Sequence, residues 1–134
     1  MAALTEDRAT EMMDGKLLAI GVAAAAMIYG GSLVVADANG YAAPGSISAN
    51  LAAMGRAEEF VDNTGGADGE KTVRVRRGRA FKFENSGTNP LTQAHVGRSC
   101  YVEDDQTVSS NATGTSVAGE VLGVESDGVW VFIG

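Results

Sequence analysis

The 134-residue sequence predicts an all-β fold, a sandwich or barrel of short strands with at most a short helix. Three observations carry this prediction. Runs of β-branched and aromatic residues are broken by Gly, Asn, Asp and Ser clusters about every eight to twelve residues. No long stretch of helical periodicity alternates with these runs, which argues against βαβ units. The closing strand is apolar on both faces, with Val129, Val131 and Ile133 on one and Trp130 and Phe132 on the other, as expected of a central strand or of one that meets a neighbour.

The elements follow in chain order. Residues 1 to about 16 are polar and mixed in charge, without an apolar stripe to anchor them, and read as an arm. Ala23 to Ala26 favours a helix by propensity, but the run is short and lies between Gly21 and Gly30, which leaves helix and strand both open. Ile28 to Val35 reads as a strand that ends in the Asp37-Ala38-Asn39-Gly40 turn. Met54 to Val61 extends as one further strand before a loop at 62–66. Between Thr72 and Glu84, Val73, Val75, Phe81 and Phe83 share one parity around Gly78, giving two strands or one bent strand. A polar loop through Asn85, Gly87 and Pro90 leads to a strand at 96–102 and a turn at Asp104-Asp105. Ser116 to Glu125 and Val129 to Ile133 form a C-terminal hairpin around Ser126-Asp127-Gly128.

Composition narrows the function. Eight aromatics and 18 glycines in a chain this short predict a thin core of small side chains, so that association with other subunits is a source of stability. A net charge of −7 argues against a nucleic-acid partner, since binding a phosphate backbone requires surplus Lys and Arg. The uncharged stretch from Leu17 to Ala36 is long enough to cross a bilayer, but its Ala and Gly content favours insertion weakly, so no membrane partner is expected. The acidic residues Glu6, Asp7, Glu11 and Asp14 do not suit a signal peptide. Cys100, the single cysteine, lies in an apolar run and reads as a small buried hydrophobe.

The same reading finds no chemistry: no catalytic residue, no cofactor and no metal is assigned. His95 stands alone in a polar loop. The segment Asp62 to Glu70 superficially suggests a calcium loop, but Gly66 stands where a ligand belongs, and Glu103-Asp104-Asp105 reads as a solvated turn. The glycines lack the spacing of a phosphate cradle. The basic cluster Arg74, Arg76, Arg77 and Arg79 is either a strand face paired with local acids or a contact to an acidic protein surface.

The order of motifs in the closing half, 91–108 with Tyr101 and Asp104-Asp105-Gln106-Thr107-Val108, then Ala118-Gly119-Glu120-Val121-Leu122-Gly123-Val124 and Gly128-Val129-Trp130-Val131-Phe132-Ile133, resembles the capsid decoration (cement) proteins of tailed bacteriophages. Ile28 to Val34 with Gly40-Tyr41 is similar to the opening motif of that family. The resemblance spans about residues 20 to 134. It implies a compact β-barrel-like or tulip-like domain at 20–134 with an extended N-terminal arm at 1–19. It further implies a homotrimer on the outer surface of the virion capsid, bound to the major capsid protein and bridging its subunits. Within the arm the expected capsid contacts are Leu4, Met12, Met13, Leu17 and Leu18. Arg74, Arg76, Trp130 and Phe132 are expected at an interface. The competing reading is a β module that binds carbohydrate or a host surface, as in a fibre or adhesin, in which exposed aromatics would cluster on loops.

Overall fold

The computed structural model describes residues 2–134, and its regular structure is β-strand apart from one 3-10 turn. Met1, the first residue of the expected arm, lies outside the described residues. The strands are β1 (Leu17–Gly21), β2 (Met27–Ile28), β3 (Leu33–Ala36), β4 (Ala42–Pro44), β5 (Ala52–Ala57), β6 (Val61–Asp62), β7 (Thr72–Arg76), β8 (Arg79–Asn85), β9 (Ser99–Val102), β10 (Thr107–Ser109), β11 (Val117–Glu125) and β12 (Gly128–Ile133). The all-β expectation holds, and β8 to β12 close into a barrel in the order β10-β8-β12-β11-β9.

The first half of the chain builds the same arrangement. Its sheet runs β1-β7-β5-β3-β4, and its two edges meet where Val22, just past β1, bridges Ala42 of β4 in parallel. The second half mirrors this with a parallel β10–β8 contact and antiparallel pairing elsewhere. The correspondence extends to single residues. Opposite Val34 and Val35 of β3 stand Gly55 and Ala53, with Met54 skipped; opposite Cys100 and Tyr101 of β9 stand Gly119 and Val117, with Ala118 skipped. The amide of Asp37 donates to the Tyr41 carbonyl across one hairpin, and that of Glu103 to the Thr107 carbonyl across the other. Gly31 and Gly97, at φ 85° and 84°, donate to the carbonyls of Ala57 and Val121. The molecule is therefore two copies of one five-stranded unit in tandem, at 17–76 and 79–133.

Parity explains the core. In β7 and β12 the alternate residues Val73 and Val75, and Val129 and Val131, point inward, so each unit has its own apolar centre. Leu33 and Val35 point out of the first unit and belong, with Ala43, Leu51 and Ala53 packed beside them, to the cluster centred on Phe81, Phe83 and Val121 of the second. The joint between the units is therefore apolar, and Arg56 closes it by holding its guanidinium 5.0 Å from the Phe81 ring centre.

Five expectations need correction. The strand expected from Ile28 to Val35 is broken by a turn at Gly30 and Gly31, the latter at φ 85°, into β2, which ends at Ile28, and β3, which begins at Leu33. The arm does not extend to residue 19, because Leu17 and Leu18 are already in β1, paired with Arg76 and Val75 of β7. The Ala23 to Ala26 run is neither helix nor strand. Ala24 and Ala25 form a turn, with Ala25 at φ 59°, and the following Met27 and Ile28 pair with β6 instead of continuing a helix. The expected strand at 54–61 is two strands, broken where Glu58 and Glu59 turn to meet arginines of β7. Residues 96–98 lie in a turn, so the expected strand there begins only at Ser99.

Candidate interaction surface

The four residues expected at an interface occupy two pairs of equivalent places. Leu17 and Ala19 of β1 stand opposite Arg76 and Arg74 of β7, as Ala80 and Lys82 of β8 stand opposite Phe132 and Trp130 of β12. On the far side, Arg56 of β5 faces Arg76 and Glu120 of β11 faces Phe132. Arg74 thus corresponds to Trp130, Arg76 to Phe132, and Arg56 to Glu120. All lie on the outward face of the last strand of a unit or of its neighbour, opposite the buried valines.

The two copies of this face differ in chemistry. In the first unit Arg74 pairs with Glu59 at 2.7 Å, and Arg76 and Arg56 share Glu58 at 2.6 and 3.1 Å. The Arg76 hydrogen bond holds Glu58 below the usual carboxylate range, and Arg74 does the same for Glu59. Of the two sequence readings of the basic cluster, local pairing is the one seen for Arg74 and Arg76. Arg77 reaches the chain terminus, donating to the Gly134 carbonyl.

In the second unit the same face is apolar. Trp130 and Phe132 remain 37% and 38% exposed, and Leu122, at the β11 bulge, 48%. Trp130 is held in place. Its Nε1–H donates to Glu125 Oε1 at 3.0 Å, and the Lys82 ammonium lies 5.9 Å from its ring centre. Lys82 is fixed in turn by Asp127 at 2.6 Å and Glu125 at 3.1 Å; the two acids raise its pKa, its hydrogen bond lowers that of Asp127, and the Trp130 and Lys82 hydrogen bonds lower that of Glu125. Covering what remains exposed of such a ring yields about 1 kcal/mol, whereas a surface ion pair contributes about 0–1 kcal/mol. A partner covering this face would gain more from the aromatic rings than from any one of its ion pairs.

The arm offers a second surface. Residues 2–17 are exposed, with Met12 97%, Met13 80% and Leu4 71% accessible. The hydrogen bonds of residues 2–15 are local, such as Arg8 to Thr10, until the Lys16 carbonyl accepts the Arg77 amide and the chain enters β1. Of the five expected arm contacts, Leu4, Met12 and Met13 are free, while Leu17 is half-exposed on the outer side of β1 and Leu18 turns toward the core.

Sequence reasoning missed several participants. The Trp130–Glu125 pair was accessible from the predicted hairpin, since its register brings β12 and the end of β11 together, whereas Lys82 comes from β8. The Tyr29–Phe60 pair was not accessible, because it depends on the pairing of β2 with β6. Those rings lie 5.3 Å apart at 38°, both more than half exposed. They flank two open hollows of about 380 and 630 Å³. Ser32 lines the smaller, and its Oγ has no hydrogen-bond partner among the described residues. Cys100 is buried, and desolvation pushes its thiol up to about 12, away from nucleophilic use. His95 closes the 3-10 turn Gln93–His95, its Nδ1 accepting the Thr92 amide at 2.9 Å. In the calcium-like loop, Asp62 and Asp68 accept backbone amides of Thr64 and Ala24. Among the described residues, no group of three or more His, Cys, Asp or Glu is placed to hold a metal, and no helix is long and apolar enough to cross a membrane.

No protein-family model, curated protein or solved structure matches this chain.

Proposed function

We propose that this protein is a capsid decoration protein, a trimer on the outer surface of a tailed-phage head that stabilises the expanded shell by bridging major capsid subunits, without catalysis or cofactor. The observation that carries the reading is the free arm. Some fifteen residues project from a well-packed β body while presenting Leu4, Met12 and Met13 to solvent. A chain retains such apolar groups outside its own core at a cost in solubility, and the cost is recovered when a partner covers them. An extended segment adds readily to an exposed sheet edge, where main-chain hydrogen bonds supply affinity, and a symmetric trimer multiplies modest contacts into durable attachment.

The test is co-sedimentation with expanded, undecorated shells of the phage that encodes the chain. The full chain pellets with shells. A variant lacking residues 2–13, which leaves Lys16 and β1 in place, keeps its fold and stays in the supernatant. Equal pelleting of both would refute the role of the arm, and no pelleting of the full chain would refute the reading as a whole.

One observation favours a second reading, a module that binds carbohydrate or a host surface. Tyr29 and Phe60 form an exposed aromatic pair beside Asp62, Glu59 and Asp105, a composition suited to stacking on a sugar ring. Under that reading Tyr29→Ala abolishes binding to a glycan array; under the decoration reading it leaves shell attachment unchanged.

A further inference from the structure

We propose that the chain associates head to tail. The Trp130, Phe132 and Leu122 face of one copy's second unit docks on the Arg74 and Arg76 face of the next copy's first unit, at whose edge Arg56 closes the joint. The proposal deepens the trimer of the reading above and rests on that reading only for the number of copies that close the ring.

The duplicated fold supplies the argument. Equivalent strands build the two faces, but β11 follows β12 over five paired positions with a bulge at Leu122 where β5 follows β7 over two, and their side chains differ in charge. The first-unit face carries three arginines against Glu58 and Glu59, and the second-unit face carries Glu120, Glu125 and Asp127 against Lys82. One is net positive and the other net negative and aromatic. Guanidinium groups stack on aromatic rings, as Arg56 already does on Phe81 across the joint within one chain. Two aromatic faces meeting each other would set Glu120, Glu125 and Asp127 against their own copies, and like charges oppose such a pairing. The complementary contact is therefore between unlike faces, which is heterologous and builds a ring or a chain of subunits, not a two-fold dimer. The indole is pinned by Glu125 and Lys82 before any partner arrives, so docking immobilises little that is free.

The test uses the full chain and two variants, each blocking one face. Trp130→Ser removes the aromatic anchor, and the double variant Arg74→Ala with Arg76→Ala removes the basic face. All altered side chains point outward; circular dichroism verifies the fold, with Phe132→Ser and Arg74→Ala alone as replacements should either fail to fold. By sedimentation velocity, each variant associates at least about tenfold more weakly than the unaltered chain. Mixed one to one, they form a heterodimer, because one live contact remains between the intact aromatic face of one and the intact basic face of the other. A mixture that stays monomeric overturns the proposal, as does a basic-face variant that self-associates like the unaltered chain. If the unaltered chain forms a trimer that neither variant weakens, the face assignment fails and the trimer stands. If it is monomeric throughout the micromolar range, both fail.

Discussion

Individual side chains hold the loops of this fold in place, and Asn63 is the clearest case. It is buried, and its Nδ2 donates toward the carbonyls of Val22, Ala23 and Ala67 at 3.3, 3.0 and 3.1 Å, tying the 62–70 loop to the turn after β1. Asn63→Ala leaves those carbonyls short of a donor in a buried place and costs about 2 kcal/mol, read from the midpoint of a urea titration. Nothing in the sequence distinguishes Asn63 from any other turn residue, because two of its three partners, Val22 and Ala23, lie some forty positions away. Trp130 and Phe132 were legible as residues on the outer face of a two-sided apolar strand, since strand parity alone separates them from Val129 and Val131. The pinning of the indole depends on a hairpin partner, Glu125, and a neighbouring strand, which parity does not reveal.

At the scale of strands, the closing hairpin and the alternation through β7 and β8 could be read directly, because there the burial pattern has a period of two. The first half misled where small residues carry no periodic signal. Ala23 to Ala26 has the propensity of a helix, and its turn is imposed by Val22 bridging to Ala42 and by Asn63 below it. The tandem repeat was hidden for the same reason: the units share register and the bulge at Met54 and Ala118 while their side chains differ, as Val34 against Cys100 and Arg74 against Trp130 illustrate. Its backbone requirement is testable. A Cβ at Gly55 would collide with the Arg76 carbonyl, and one at Gly119 with the Phe132 carbonyl, equivalent clashes in the two units. Gly55→Ala and Gly119→Ala therefore each destabilise by about 1–3 kcal/mol. Gly123→Ala, whose nearest neighbour would be Trp130 at 3.8 Å, is near neutral on the same strand, as chemical denaturation will show. The ion pairs of the first-unit face set a pH dependence. Glu58 and Glu59 titrate below the ordinary 4.5 when folded, so their contribution is complete above that pH and declines as pH falls through the folded values. The melting temperature drops on acidification below 4.5, and it drops less for Arg74→Ala with Arg76→Ala; equal slopes would contradict the pairing.

Across the whole molecule, two copies of one unit share an apolar joint, carry differently charged outer faces and trail an arm that the body does not cover. The barrel character was legible in the sequence, while the joint was not, since Leu33 and Val35 look like core residues of their own strand and instead pack on the second unit. On the proposed reading the protein acts by surface fit, and its effect on a capsid is mechanical. The most direct measurement is the temperature at which genome-filled particles release their DNA, compared between particles with and without this protein and followed by a DNA-binding dye. Decorated particles hold their genome to a higher temperature, and the difference disappears when the added protein lacks residues 2–13. Identical release temperatures for decorated and bare particles would contradict the account.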